Sequence, residues 1–292
     1  MESVAGVKAV AVGAETKGFD LARAVQALSK QIIFEGQYNS FGGTSYYNVR
    51  LRSLSIVIPA YNEEERLPST LDQVLAYLRR GDFAPWELLV VNDGSKDGTA
   101  ALVRRMAATE PNLRLIENPG NKGKGYSVRH GMLEARYEWA LFSDADLSAP
   151  IGELPKLFAA IEREQATVAI GSRALDRSLI GTHQSAFREM GGRFFNLMVQ
   201  LGTGLRLWDT QCGFKLFRRD AAQAVFRRQQ LERFGFDVEA LFIARRLGYR
   251  IAEVPVKWNH VDGTKVSMAT DSVDMFGDIA RVRWNDWKGL YK

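Results

Sequence analysis

The chain has 292 residues, 46% apolar and 25% charged, an ordinary globular composition with enough apolar side chain to bury a sizeable core. A net charge of +5 and a sequence pI near 9.3 point to an anionic partner, whether phosphate, acidic lipid or nucleic acid. The single cysteine, Cys212, excludes an internal disulfide, no apolar run reaches the roughly 18 residues of a spanning helix, and charges at Glu2, Lys8, Glu15 and Lys17 interrupt any signal-peptide layout, so the expectation is a soluble protein or one held at a membrane surface.

Residues 1–52 read as an appendage to a domain over 53–292. The first 17 are small and polar, and residues 20–34 put Leu21, Val25, Leu28 and Ile32 at helical spacing behind a possible N-cap at Asp20. "EGQYNSFGGTSYYN" then reads as loop. From Leu54 the pattern alternates. "SIVIPA", "WELLVV", "NLRLIE", "WALFS" and "ATVAIGS" are short β-rich runs, separated by the helical "PSTLDQVLAYLRR", "DGTAALVRRMAATE", "KGYSVRHGMLEARY" and "IGELPKLFAAIERE". That alternation predicts an α/β fold with a mostly parallel central sheet and helices on both faces.

In such a sheet ligands bind beyond the carboxyl ends of the strands, and the polar clusters sit there. "PAYNEEE" follows the first strand, where Pro59 stops the run, Tyr61 offers a ring with a polar tip and Glu63 can accept from a ligand base or start the next helix. Asp93 of "NDGSKDGT" can take two ribose or base donors, or can belong to an Asp-Gly turn. "NPGNKGKG" carries glycines, a helix start, and Lys122 and Lys124, either of which can meet phosphate, without the spacing of a P-loop. "DADLSAP" ends an apolar strand on Asp144 and Asp146, which repel each other unless a hard cation shared with a diphosphate removes the repulsion; a helix-capping turn is the plainer alternative. "GSRALDRS" and "FREMGGRFFN" add Arg173, Arg188 and Arg193 as anion binders or surface arginines.

The second half is less regular. Asp209, Thr210, Gln211 and Lys215 surround an apolar strand in "LWDTQCGFKLF". Asp237 and Glu239 open an amphipathic helix, where an N-cap and a first-turn acid are the ordinary roles. Lys265 lies in a glycine-containing loop, and residues 187–201 and 273–291 mix aromatic and basic side chains in a way that suits either core packing or a membrane interface. His260 has no His or Cys nearby in sequence for a zinc site, and no G-x-S-x-G nucleophile is present. The basic residues follow strand ends and are not interleaved with aromatics along one stripe, which argues against a nucleic-acid partner.

Together "IVIPAYNEE", "VNDGSKDGT", "NKGKG", "DAD" and "GSRA" resemble the family 2 glycosyltransferases of GT-A (Rossmann-like) fold over about residues 53–292. "DTQCGFKLF", "FDVEALFIA" and "EVPVKWNHVDGTKV" resemble the dolichyl-phosphate glucosyl branch among the polyprenyl-phosphate sugar transferases, and Ser148 stands where mannosyl relatives often carry Gln. The resemblance implies that Pro59, Tyr61, Glu63 and Asp93 hold the nucleoside, and that Asp144 and Asp146 carry Mg²⁺ or Mn²⁺ on the diphosphate. It implies that Arg173, Arg188, Lys215 and Lys265 surround the donor diphosphate and acceptor phosphate; Lys122 and Ala145 complete the nucleotide-sugar set, and Asp209 and Asp237 the catalytic set, as orienting groups alongside Glu239. The implied reaction is inverting transfer of glucose from UDP-glucose to a polyprenyl phosphate at the cytoplasmic face of a membrane, the enzyme attached peripherally. A GDP-mannose-dependent mannosyltransferase and a catalytically inactive nucleotide-sugar-binding domain are the alternatives.

Overall fold

The computed structural model describes residues 51–182, 186–259 and 270–292; at 182, 186–190, 193 and 270–275 the description is of backbone alone. The chain divides into two units, Met1–Arg50 and Leu51–Lys292, and the described residues belong to the second. The helix expected over 20–34 lies outside them.

Seven strands form the central sheet. They are β1 (Arg52–Ala60), β2 (Phe83–Asn92), β3 (Leu113–Glu117), β4 (Trp139–Ser143), β5 (Val168–Ser172), β7 (Phe214–Arg218) and β8 (Ile251–Pro255). Their order is β3-β2-β1-β4-β7-β5-β8, and all neighbours are parallel except β7, which runs antiparallel between β4 and β5. A separate parallel pair joins β6 (Ile180–Thr182) to β9 (Trp258–Asn259).

β-Branched and aliphatic residues run continuously through β1 and β2 because both faces are covered. Ile56 and Ile58 pack into a core on one face with helices α1 (Leu67–Leu78), α2 (Thr99–Ala107) and α4 (Leu154–Glu164). Val57 points into a second core with α3 (Lys124–Glu134), α5 (Ala186–Thr203), α6 (Arg219–Phe226), α7 (Phe236–Arg246) and α8 (Thr270–Trp287). Full burial of such side chains contributes about 1.5–3 kcal/mol each. Proline in the first turn of α1 and of α4 fixes the helical φ where no backbone N–H is needed.

One expectation changes here. Pro59 does not stop β1, which runs on to Ala60 in register with Asn92. The β1–β4 ladder ends at Val57 with Phe142, so beyond it only the β2 side of β1 is paired, and a proline is tolerated. The irregular second half supplies β7, the antiparallel strand that carries the 209–213 loop to the end of β4. Asp144 N donates to the Gly213 carbonyl at 3.1 Å, which seats that loop directly beside the aspartates.

Candidate active site

The β1–α1 and β2–α2 loops hold each other. Asn62, at φ 53°, donates its N–H to Ser95 Oγ and accepts from Lys96 N, while Gly98 N donates to Glu64. Glu63 takes Arg66 Nε at 2.9 Å and its N–H donates to Thr99 Oγ1. Pro59 and Tyr61 are half-buried at the same edge. Asp93 is buried and its carboxylate is engaged by the protein itself, accepting from Asn118 Nδ2 at 2.8 Å, Lys122 N at 2.9 Å and Gly123 N at 2.8 Å. Its structural work is to shape the next loop. Gly94 makes that possible, because a Cβ there would stand 2.6 Å from the Gly120 carbonyl carbon.

The two lysines of "NKGKG" separate in space. The Lys122 side chain is exposed, and Gly123, at φ 105°, turns the chain so that Lys124 opens α3 facing the D-x-D pair. Lys124 Nζ lies 2.6 Å from Asp144 Oδ1, off the line of a hydrogen bond. Burial opposes the lysine's charge, but Asp144, with Asp237 and Asp146 behind it, outweighs burial and raises its pKa above the ordinary value. Lys124 is therefore the lysine that meets the aspartates, whereas the expectation placed Lys122 in the nucleotide-sugar set.

Asp144 also depends on a glycine. A Cβ on Gly213 would fall 2.0 Å from Asp144 Oδ2, so the carboxylate rests against bare backbone. Asp146 Oδ1 accepts from Ser148 N at 2.9 Å, and its Oδ2 accepts no hydrogen bond among the described residues. Ala145 is buried between them, its carbonyl tied to Thr70 Oγ1 at 2.6 Å. No cluster of three or more His, Cys, Asp or Glu that could hold a metal is present among the described residues. A divalent cation taking part of its shell from a diphosphate and water needs one or two carboxylates, so the open oxygen of Asp146 beside Asp144 fits one.

Arg173, at the end of β5, clamps Asp209: Nε to Oδ2 at 2.7 Å, Nη2 to Oδ1 at 2.8 Å, and the backbone N to Oδ2 at 3.0 Å. Burial alone would raise the Asp209 pKa; the guanidinium and its hydrogen bonds outweigh that and hold the carboxyl below the ordinary value. The arginine also lies 5.5 Å from the centroid of the Trp258 ring. Cys212, three residues on from Asp209, is buried against Gly171, and burial pushes its thiol up to about 12.

Lys215 corrects an expectation. It is fully buried on β7, donates to Asp237 Oδ1 at 2.5 Å and to the Cys212 carbonyl at 2.7 Å, and lies over the Phe142 ring. A lysine with no exposure and two partners inside the protein is a structural cation beneath the site, not a surface group around a diphosphate. Asp237 is its counter-ion and not an N-cap, since Gly235 precedes α7; burial raises its carboxyl against the pull of Lys215 and Lys124. Glu239 accepts from Gln230 N, Leu231 N and Tyr291 Oη, and so braces the 229–232 turn. That turn supports the start of α3: Gln229 donates to the Gly125 carbonyl and Tyr126 N to the Glu232 carbonyl. Arg188, Arg193 and Lys265 lie outside the residues whose side chains are described.

A family model described as glycosyl transferase family 2 matches residues 55–226. The chain is 41% identical over 235 residues to the dolichyl-phosphate β-glucosyltransferase ALG5A of Trichomonas vaginalis, covering 75% of this chain and 72% of that one. It is 36% identical over 250 residues to the dolichyl-phosphate β-glucosyltransferase of Dictyostelium discoideum, covering 82% and 76%. It is 34% identical over 258 residues to that of Saccharomyces cerevisiae, again covering 82% and 76%. Among solved structures, glucosyl-3-phosphoglycerate synthase from Mycobacterium tuberculosis, in complex with Mn²⁺, UDP and phosphoglyceric acid, matches with a TM-score of 0.54 at 19% identity, covering 80% of this chain and 77% of that one. Mannosyl-3-phosphoglycerate synthase from Rubrobacter xylanophilus matches with a TM-score of 0.58 at 17% identity, covering 82% and 75%. At such identities the likeness shows the fold, a GT-A-type sheet.

Proposed function

The chain belongs to glycosyltransferase family 2, in its dolichyl-phosphate β-glucosyltransferase branch, and on that premise we propose that it transfers glucose from UDP-glucose to a polyprenyl phosphate with inversion of configuration. The products are polyprenyl β-glucosyl phosphate and UDP. The observation that carries the reading is the meeting of Asp144, Asp146 and Lys124 at the end of β4, beside the loop that Arg173 and Asp209 hold.

Asp146 and Asp144 would hold Mg²⁺ or Mn²⁺, which when bound offsets charge growing on the departing diphosphate. The remaining work falls to the chain's own residues. Lys124, paired with Asp144, and Arg173, paired with Asp209, present positive charge that would draw two anionic substrates together. The β1–α1 and β2–α2 loops, locked to each other, offer Tyr61 and Glu63 at the nucleoside edge. A phosphate monoester, with a second pKa near 6, reaches the site with anionic oxygens and needs no base. Asp209 is bound to Arg173 and Asp237 to Lys215, which supports reading both as groups that orient cations. Lys265 and Arg188 are assigned by the same reading to the phosphates.

No helix among the described residues is long and apolar enough to cross a membrane. Exposed Trp284, Trp287 and Leu290 stand with Arg281, Arg283 and Lys288 on and just after α8. This supports peripheral attachment to an anionic cytoplasmic surface, where the acceptor's tail is anchored.

The test is a transfer assay with radiolabelled UDP-glucose and GDP-mannose in competition, a short polyprenyl phosphate, and extraction of the product into organic solvent. Label in the lipid phase from UDP-glucose alone is expected. Label from GDP-mannose alone would replace the glucosyl reading, and nucleotide binding with no lipid product from either would make this a binding domain.

A further inference from the structure

We propose that a pocket at the edge of the sheet remote from the aspartates, where Arg206, Arg245 and Arg250 converge, binds a phosphate group, carried either by a free phosphate compound or by a phospholipid head. The site goes beyond glucosyl transfer and does not depend on it.

The pocket encloses about 300 Å³ between the ends of α4, α5 and α7 and the entries to β5 and β8. β4 and β5 both run antiparallel to β7, and β8 is parallel to β5, so Asp144 and Arg173 leave the sheet at one edge while Ile251 enters at the other. The length of β5 and its flanking residues puts roughly 15–20 Å between the two edges. The floor belongs to the core, since Ala166, Leu205 and Leu207 are buried. The backbone that carries the arginines is fixed. Gly204, at φ 73°, turns the chain off α5, Asn196 and Gln200 donate to the Leu207 carbonyl, and Thr167 N and Val168 N donate to the Arg250 carbonyl.

Three segments deliver three guanidiniums, and the neighbouring carboxylates are spoken for. Glu164, the acid on the wall, is paired with Arg163 at 2.6 Å, and Asp286 of α8 with Arg246 at 2.9 Å. Arg245 stands about 100° around α7 from Arg246 and lines the pocket instead. The guanidiniums of Arg206 and Arg245 make no hydrogen bond or ion pair among the described residues, and Arg250 reaches only the Glu164 carbonyl, at 3.4 Å. Capping is the ordinary work of arginines at helix carboxyl ends, but here the backbone does it. Leu247 N, Tyr249 N and Gly248 N take the Ile243, Ala244 and Arg245 carbonyls of α7, and Gly204 N and Thr203 Oγ1 take the Gln200 and Val199 carbonyls of α5. Like charges gathered over an apolar floor repel, and a bound anion relieves them. A carboxylate carries one charge against three; a phosphate brings up to two and matches the guanidinium forks with paired oxygens. The Arg246–Asp286 pair also ties this edge to α8 one residue before the exposed Trp287, which is why a phospholipid head stands beside a free phosphate as a source.

The test uses the full chain without divalent metal and titrates inorganic phosphate by calorimetry at constant ionic strength. Arg206→Gln and Arg245→Gln each remove one fork at an exposed position, so the fold is not at risk. Each should weaken phosphate binding about tenfold, and Arg245→Lys, which keeps the charge and loses the fork, should weaken it about fivefold. Phosphate held near Lys124 or Arg173 is untouched by these changes, so the loss reports this pocket alone. Unchanged affinity in both glutamine variants overturns the assignment, and full affinity in Arg245→Lys reduces the pocket to a diffuse patch of charge and overturns it equally. A second arm separates the sources. Arg206→Gln combined with Arg245→Gln is sedimented with phosphatidylcholine vesicles carrying phosphatidic acid, and with vesicles of matched surface charge carrying phosphatidylserine. A severalfold greater loss on phosphatidic acid assigns a phospholipid head. No loss on either vesicle, with phosphate affinity lowered, assigns a free phosphate compound.

Discussion

At the ends of β1, β2 and β3 the chain's polar groups find each other; beside α5 they do not. Asp93 accepts three hydrogen bonds, Asn62 and Ser95 lock two loops, and Glu239 braces the turn under α3. Across the aspartates, Thr210, Gln211 and Asn196 face a cavity with groups unpaired, and Leu201 and Trp287 stand in water. The difference follows from the ligands each side suits. A nucleotide is compact and polar, and loops held in place before it arrives lose less entropy on binding it. On the proposed function, a polyprenyl phosphate would bring its own apolar surface to the side left open.

The sharpest way to break the comparison is to attack the foundation under the aspartates that divide the two sides. Lys215→Met leaves the Asp237 carboxylate buried without its cation, and should cost about 3–5 kcal/mol in urea denaturation, while Lys215→Met combined with Asp237→Leu should recover most of it. An unchanged midpoint in the single variant would mean the charge reaches water and the pair is no foundation. Next in size, Asp146→Asn should lower transfer by about 10²–10³-fold, on the scale of removing one preorganised electrostatic group, with an unaltered melting curve. Near-normal turnover with ordinary Mn²⁺ dependence would remove Asp146 from the metal site.

A pH titration sharpens the boundary between the sides, where Arg173 holds Asp209. Because the folded Asp209 pKa lies below its unfolded value, its stabilisation is complete above the unfolded carboxylate pKa of about 4 and is lost as pH falls through the lower folded value. Asp209→Asn should therefore be less stable than the wild type at pH 7 and should lose less on acidification. Parallel acid limbs would show that the pair contributes nothing. Smallest is the effect at the rim. Trp284→Ala with Trp287→Ala should weaken sedimentation with anionic liposomes severalfold without changing UDP affinity, and added salt should weaken what remains, since exposed charges are screened over about 8 Å at physiological ionic strength. Equal sedimentation of variant and wild type would place the membrane contact elsewhere.

Much of this was legible in the chain itself. Five of the seven strands stand out as runs alternating with helices and a sixth, β7, as the apolar strand of "LWDTQCGFKLF", and "DADLSAP" marks the site because its carboxylates follow a fully buried strand. What escaped depends on contacts between distant residues. Lys215 reads as one more basic residue near phosphate until β7 is seen to run antiparallel inside the sheet, which buries it against Asp237, 22 residues away. Lys122 and Lys124 are equivalent in a string of letters; the left-handed turn at Gly123 separates them. Asp93 has two readings in the string of letters, a nucleoside group or part of an Asp-Gly turn, and its three hydrogen-bond partners, from a loop 25–30 residues further on, appear only in the fold.

The lone cysteine offers an experimental handle. Cys212 is the buried member of the 209–213 loop, with 1% of its surface exposed, and its thiol stays protonated through the neutral range. Thiol reagents should therefore spare it, and the native chain is already a silent background for labelling. A cysteine placed at Leu201 and another at Trp287, both on open helix surface, would carry a pair of environment-sensitive dyes with no need to delete Cys212 first. Their brightening in turn, as vesicles and then a short lipid phosphate are added, would time the approach to the bilayer separately from the entry of the acceptor.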